Sequence, residues 1–369
     1  MKKPQEVSDS MKKVGIISAG AWGTALGKII AELGNEVVMW DFMTDVVDDI
    51  NHNNTNGRYL LGVRLPSNLQ ATTDITLAAA DKDFIIVATP SLYIIDSVKK
   101  IAAMPGVREG NTFIAVVTKG FISGEEESKL LIEAIEEFLP ETYRNNLVYI
   151  SGPSHAEEVS RGKLTGLIAA CPNGRNAIRF RELLTGSTLM VFPSLDIVGV
   201  QTCGAVKNVV AIAFGMLDAM MEFSDSFGDN TESLLLAAGL NEIQLLGTAL
   251  GSTHPETFTS IAGVGDLDVT CRSRHGRNRR FGREIIKDRI LARFKDLEDL
   301  IRNISSLGFL PEGAVAAKFV HEIARQRKLK LPICETVYSI LNCEVNPSQA
   351  VSIMVENLGG ALTQTIPDA

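Results

Sequence analysis

The sequence predicts two domains of different class: a doubly wound α/β domain over residues 11–195, then an all-α domain over residues 196–369. Three observations carry this. Through the first half, short apolar runs alternate with helix-like segments, as in a parallel sheet with crossover helices. From Asp196 onward that alternation stops and long Ala/Leu-rich segments take over. A chain of 369 residues also exceeds what one ordinary hydrophobic core supports.

Taken in order, strands are expected at "VGIIS" (14–18), "EVVMW" (36–40), "FIIVAT" (84–89), "TFIAVVT" (112–118), "LVYIS" (147–151), "LTGLIAA" (164–170) and "LMVFPS", which ends at Ser194. Residues 127–139, "ESKLLIEAIEEFL", have helical spacing and stop before Pro140. In the second half "AVKNVVAIAFGMLDAMM", "TESLLLAAGLNEIQLLGTAL", "PEGAVAAKFVHEIARQRK" and "PICETVYSILN" read as helices. No repeat or low-complexity tract interrupts them. Residues 1–10 and roughly 360–369 are expected to be loose ends.

Composition narrows the class. Hydrophobic residues at 45% and charged residues at 22% fit a soluble globular protein. Cysteines 171, 203, 271, 334 and 343 lack CxxC spacing, which argues against disulfides or structural zinc and suits a reducing compartment. Residues 1–10 lack the apolar core of a signal peptide, and the most apolar run, 209–217, is short for a bilayer. A cytoplasmic protein without membrane insertion is expected. The net charge of −8 argues against general nucleic-acid binding, a local basic patch remaining open.

The stretch "VGIISAGAWGTALG" (14–27) resembles a dinucleotide-binding turn. In that fingerprint the first glycine makes the tight turn, the second admits the pyrophosphate and the third lets helix meet strand. Gly20 and Gly23 hold the second and third places; Ser18 holds the first. A positive φ there would cost serine about 1 kcal/mol, lowering affinity rather than abolishing binding. Asp41 ends the second strand 21 residues after Gly20, where an acid takes the ribose hydroxyls of NAD and repels a 2′-phosphate. The bland reading is that the glycines only pack and Asp41 is a solvated loop residue.

Three later segments carry candidate chemistry. Lys207 is expected near the start of a helix whose neighbours at i+4 and i+7 are Ala211 and Phe214, so its amine leaves from an apolar surface. Burial lowers a lysine's pKa and makes it a general base; a snorkelling lysine at a helix end stays equally open. In "AGVGDLDVTC" the glycines deliver Asp266 from a turn, with Thr270 four residues on, to orient that lysine or to cap a helix. "RSRHGRNRRFGR" gathers Arg272, Arg274, Arg277, Arg279, Arg280 and Arg283. That cluster suits a phosphate, or is a solvated face paired with the acids after Asp288. The five histidines show no triad or metal spacing, which favours lysine chemistry.

Together "AGAWGTAL", "YLLGVRLPSNL", "VTKGF", "SGPSHAEEV", "GAVKNVVAI", "GDNT", "AGVGDLDVTC" and "GRNRRFG" occur in order along nearly the whole chain. In this the chain resembles the NAD(P)-dependent glycerol-3-phosphate dehydrogenases. The resemblance implies a Rossmann-like domain with a helical substrate domain. It also implies reversible hydride transfer between sn-glycerol 3-phosphate and dihydroxyacetone phosphate, for glycerophospholipid synthesis. Matching motif by motif, Lys207 is the general acid/base, tied by Asp266 and Thr270, with Lys119 near the reacting carbon. Arg277 and Asn278 grip the phosphate, and Gly152, Ser154, Asn208 and Gly276 line the same pocket. Ala21, Trp22, Phe42, Tyr93, Ala156, Leu310 and Glu312 belong to the cofactor side, with Lys119 and Arg277 reaching both ligands. A homodimer is implied as well.

Five positions depart from the bacterial pattern: Ser18, Asp41 with Phe42, Gly276 and Ala238. Phe42 and Gly276 match NAD-using eukaryotic members, so NAD is expected over NADP. Two other readings remain: a β-hydroxyacid dehydrogenase of similar plan, which "GRNRRFG" argues against, and a catalytically idle nucleotide-binding or redox-sensing protein, motivated by Ser18 and Ala238.

Overall fold

The computed structural model describes residues 11–124, 128–273 and 276–361, with side chains to residue 354. Ten strands appear: β1 (Lys13–Ile17), β2 (Glu36–Trp40), β3 (Leu69–Thr72), β4 (Phe84–Val87), β5 (Phe113–Val116), β6 (Phe121–Ser123), β7 (Ser128–Leu130), β8 (Val148–Ser151), β9 (Thr165–Ala170) and β10 (Leu189–Ser194). Eight form one sheet, ordered β10-β9-β8-β5-β4-β1-β2-β3. Val14, Ile16 and Ile17 are fully buried, because β1 is covered on both faces, and such strands read as continuous apolar runs. The strand order reverses between β1 and β4, so the crevice beyond their carboxyl ends is where this architecture takes a ligand.

Three features differ from expectation. The sheet is parallel only from β3 to β8; β9 runs antiparallel to β8, and β10 runs parallel to β9. Between β8 and β9 stands only the one-turn helix Ala156–Val159, too little for a parallel crossover. Second, the helix expected over 127–139 begins only at Leu131 and ends at Glu136; residue 127 lies outside the described residues. Ser128–Leu130 instead pairs antiparallel with Phe121–Ser123. Tertiary contacts override the helical spacing: Phe121 and Leu130 join the core of the helical half, and Ser128 Oγ donates to Glu322 Oε2 at 2.6 Å. Third, the short β3 was not anticipated. Of the loose ends expected at 1–10 and roughly 360–369, residues 1–10 and 362–369 lie outside the described residues, while 360 and 361 end the Pro347–Ala361 helix.

From Asp196 the described chain is helical. The apolar run at 209–217 belongs to a much longer helix, Ile197–Met221, which by length and composition alone could cross a membrane. In the structure 94% of its most apolar stretch is buried among the other helices, which accounts for its being apolar all round. The Arg277–Lys287 helix crosses it backbone to backbone. A Cβ on Gly282 would stand 2.1 Å from the Ile212 carbonyl oxygen, and one on Gly215 only 1.9 Å from that of Arg279. This close crossing sets the "GRN" turn beside the middle of the core helix.

Candidate active site

At the end of β1, Ser18 has φ +98°, so the residue in the first glycine's place is held in the region glycine favours. Gly23 is obligatory: a Cβ there would lie 2.2 Å from the Ser18 carbonyl oxygen. At Gly20 a Cβ would meet only Ser18 Oγ, at 3.6 Å, so this face of the turn is open. Gly20 also starts the Ala21–Glu32 helix with no side-chain cap. The first amides of that helix are left for an anion, as a pyrophosphate requires. Ser18→Gly removes about 1 kcal/mol of strain. Thermal unfolding should therefore shift up by a few degrees with NADH affinity kept or improved; weaker binding in a titration would assign the hydroxyl a ligand contact.

Asp41 is not a solvated loop residue. It is 3% exposed; Oδ2 accepts the Ala19 N–H at 3.2 Å and Oδ1 the Met43 N–H at 3.1 Å. Burial raises its pKa, and those two N–H groups oppose the rise. Asn56, which the sequence reading missed, supports the same turn. Its Nδ2 donates to the Ala19 carbonyl and to Thr24 Oγ1, both at 2.8 Å. Only its place in the Asn-rich stretch "NHNNTNG" hints at this. Phe42 and Tyr93 follow β2 and β4 and are exposed, 73% and 61%, as large apolar groups at the mouth of the crevice. Ala21 and Trp22 are half-buried, Ala156 is buried, and Leu310 and Glu312 are half-buried at the start of the Glu312–Arg327 helix.

The catalytic candidates converge. Lys207 lies mid-helix rather than near a helix start, and is 6% exposed, which rules out snorkelling. Its amine donates to Asp266 Oδ1 and, at 2.8 Å, to Thr270 Oγ1. Thr270 in turn donates to the Asp266 carbonyl at 2.6 Å. Asp266 is fully buried at the first position of the Asp266–Arg272 helix, and its carboxylate caps no helix. Its other oxygen accepts from Lys119 at 2.8 Å and from Ser151 Oγ at 3.4 Å. Lys119 also donates to the Gly152 carbonyl and Ser154 Oγ, both at 3.2 Å, so all three of its N–H bonds are used. Burial pulls Lys207 down to about 7; Asp266 opposes this and Lys119 reinforces it. His155 is another missed neighbour: burial and then the Lys207 charge lower its pKa, and its ring bonds the Val269 backbone.

The arginine cluster divides. Arg279 forms a two-pronged pair with Asp218, Arg283 pairs with Glu222, Arg272 with Asp268 and Arg280 with Glu284. Those partners are not the acids after Asp288. Arg274 lies outside the described residues. Arg277 opens its helix, is exposed, and belongs to none of these pairs. Gly276 caps that helix without a side-chain bond, leaving a second glycine-headed set of helix amides beside Arg277. Asn278 is 7% exposed; its amide donates to Asn208 Oδ1 at 3.0 Å and accepts the Gly313 N–H at 2.9 Å. It therefore builds the pocket's wall more than it reaches into the space. Ala238 is fully buried in the helical core, away from these bonds.

A dinucleotide turn at a strand-order switch point and a buried lysine tuned near neutrality together define a two-domain, nicotinamide-dependent dehydrogenase. Comparison with known proteins narrows the class. Residues 13–177 match the family model "NAD-dependent glycerol-3-phosphate dehydrogenase N-terminus", and residues 196–352 match its "C-terminus" counterpart. The chain belongs to this family of oxidoreductases and uses NAD or NADP. It is 52% identical to a Treponema denticola protein named glycerol-3-phosphate dehydrogenase [NAD(P)+], over 94% of this chain and 98% of that one. A Bacillus subtilis protein of the same name is 36% identical over 90% of each chain. The crystal structure of a Coxiella burnetii glycerol-3-phosphate dehydrogenase superposes with a TM-score of 0.80 at 30% identity, covering 94% of this chain and 99% of that one.

Proposed function

We propose that the chain reversibly reduces dihydroxyacetone phosphate to sn-glycerol 3-phosphate with NADH in preference to NADPH. The observation that carries this is Lys207, buried and bonded to both Asp266 and Thr270. When neutral, the amine has two N–H bonds, which these partners take; its lone pair is left to accept the substrate hydroxyl proton during oxidation. During reduction the ammonium returns that proton to the oxygen. The bound nicotinamide supplies the hydride acceptor or donor. Lys119, with its donors committed, acts as a fixed positive charge beside the reacting centre and keeps Lys207 from holding its proton tightly.

The uncapped amides after Gly276, with Arg277, suit a phosphate monoester. Asn208 with Asn278, and Gly152 with Ser154, would line that pocket. On the cofactor side, the open face at Gly20 would take the pyrophosphate. Trp22, Phe42 and Tyr93 would offer apolar surface, and Ala21, Ala156, Leu310 and Glu312 would complete the cofactor side. The buried Asp41 carboxylate beneath the turn disfavours a 2′-phosphate and supports NAD over NADP. A division into 11–195 and 196–369, a homodimer, a cytoplasmic location and a role in supplying phospholipid synthesis complete the proposal.

The test is oxidation of NADH and NADPH, followed by absorbance, with dihydroxyacetone phosphate as substrate. Turnover preferring NADH is expected, and cofactor binding without turnover would refute the assignment. In the same assay Arg277→Ala should raise KM for dihydroxyacetone phosphate roughly 10- to 100-fold, the worth of a charged hydrogen bond, with a smaller change in kcat. An unchanged KM would remove Arg277 from the phosphate site.

A further inference from the structure

The segment "YLLGVRLPSNL" (59–69) contributes no residue to the catalytic cluster or to the Arg277 turn. Arg64 pairs with Thr55 in an antiparallel bridge, and the Leu65 N–H donates to the Asn54 carbonyl at 2.8 Å. Successive side chains of such an extended stretch point opposite ways. Val63 and Leu65 are accordingly buried in the core of the sheet domain, and Arg64 between them is exposed. A second exposed arginine, Arg161, stands just past the one-turn helix Ala156–Val159, which packs against the Ala21–Glu32 helix. Arg64 and Arg161 line one cleft of about 570 Å³, within the size range of small-molecule sites. Lys28 and Glu32 line it too, but neutralise each other in an ion pair. Neither guanidinium has a hydrogen-bond or ion-pair partner among the described residues. The cleft therefore carries two uncompensated positive charges in a chain of net charge −8. Lys28 lies eight residues past Gly20, about 12 Å along the helix, which sets the cleft apart from the dinucleotide turn.

We infer that this cleft is a second anion site, separate from the catalytic centre, which binds a small organic phosphate ester between Arg64 and Arg161. Guanidinium forks donate paired, charge-assisted hydrogen bonds to phosphate oxygens. Val63, Leu65 and Pro66 form the apolar part of the lining, which suits the organic part of an ester and favours it over inorganic phosphate. A ligand held by both arginines ties two segments that are far apart in sequence. Occupancy therefore stabilises the folded chain without entering the reaction.

The experiment is a calorimetric titration of phenyl phosphate, and separately of inorganic phosphate, at fixed ionic strength. The protein is first saturated with NADH and glycerol 3-phosphate, two reduced ligands that cannot turn over. Phenyl phosphate should bind one site, and more tightly than inorganic phosphate. Arg64→Gln and Arg161→Gln should each weaken it roughly 10- to 100-fold, as loss of a charged hydrogen bond does, with kcat and KM at wild-type values. Saturating phenyl phosphate should raise the Tm of the wild type and leave that of the double variant unmoved. The same titration into Arg277→Ala should return the wild-type affinity, whatever reaction the enzyme performs. Absence of binding to the wild type, or binding that survives both cleft substitutions, would overturn the inference. Loss of binding in Arg277→Ala would assign the phosphate to the catalytic pocket and overturn it as well.

Discussion

Lys207→Ala should lower kcat about 10²- to 10⁴-fold, the usual worth of a placed general acid/base, while leaving NADH binding nearly unchanged. The geometry explains the separation. The amine's bonds go to Asp266 and Thr270, both in the helical half, and none goes to the turn at 18–23. Removing it takes away the proton acceptor without disturbing Ser18, Gly20, Gly23 or Asp41. Lys119 is no substitute, because its three donors are tied to Gly152, Ser154 and Asp266. Stopped-flow turnover combined with a fluorescence titration of NADH checks both parts. Wild-type rates in the variant would refute the lysine-base mechanism.

Asp266→Asn should cost stability as well as activity. The carboxylate is fully buried between two lysines, one on each oxygen. The amide keeps its shape but removes the only negative charge bonded to either amine among the described residues. Leaving buried charge uncompensated costs about 3–5 kcal/mol. The sign with pH follows from Lys207. Burial and the Lys119 charge already hold its pKa below the ordinary lysine value, and without Asp266 the carboxylate that opposes them is gone. The folded variant then binds fewer protons than the unfolded chain, so its stability rises with pH. Thermal unfolding should show the deficit largest in mild acid and partly recovered in mild alkali, and kcat should fall at least about 10²-fold. A melting curve identical to wild type at both pH values would contradict the buried-triad description.

Much of this site was legible because its signals are local. The strand–turn–helix at 13–32 depends on contacts within a few residues, and the apolar neighbours Ala211 and Phe214 correctly placed Lys207 on a buried face. Even the departure was informative: Ser18 adopts the positive φ that its fingerprint position demands. What failed to show depends on contacts distant in sequence. Helical spacing at 128–130 lost to a hairpin because Phe121 and Leu130 are drawn into the other domain's core. Arg279 and Arg283 find Asp218 and Glu222, 61 residues back, only because Gly215 and Gly282 let two helices touch. Asn56 carries no motif and is known only by its bonds to the turn. The reversed β9–β10 edge likewise follows from a connection too short to cross over.

The central claim is that a lysine tuned to about 7 moves the proton, and the pH profile of kcat/KM tests it most directly. For glycerol 3-phosphate oxidation the amine must be neutral, so the profile should rise about tenfold per pH unit below the pKa and level off above about 7. For dihydroxyacetone phosphate reduction the ammonium is required, so the rate should fall as pH rises through the same value. In Lys207→Ala that shared limb should vanish from whatever activity remains. A limb near the ordinary lysine value of 10.5, or one that survives in the variant, would contradict the account.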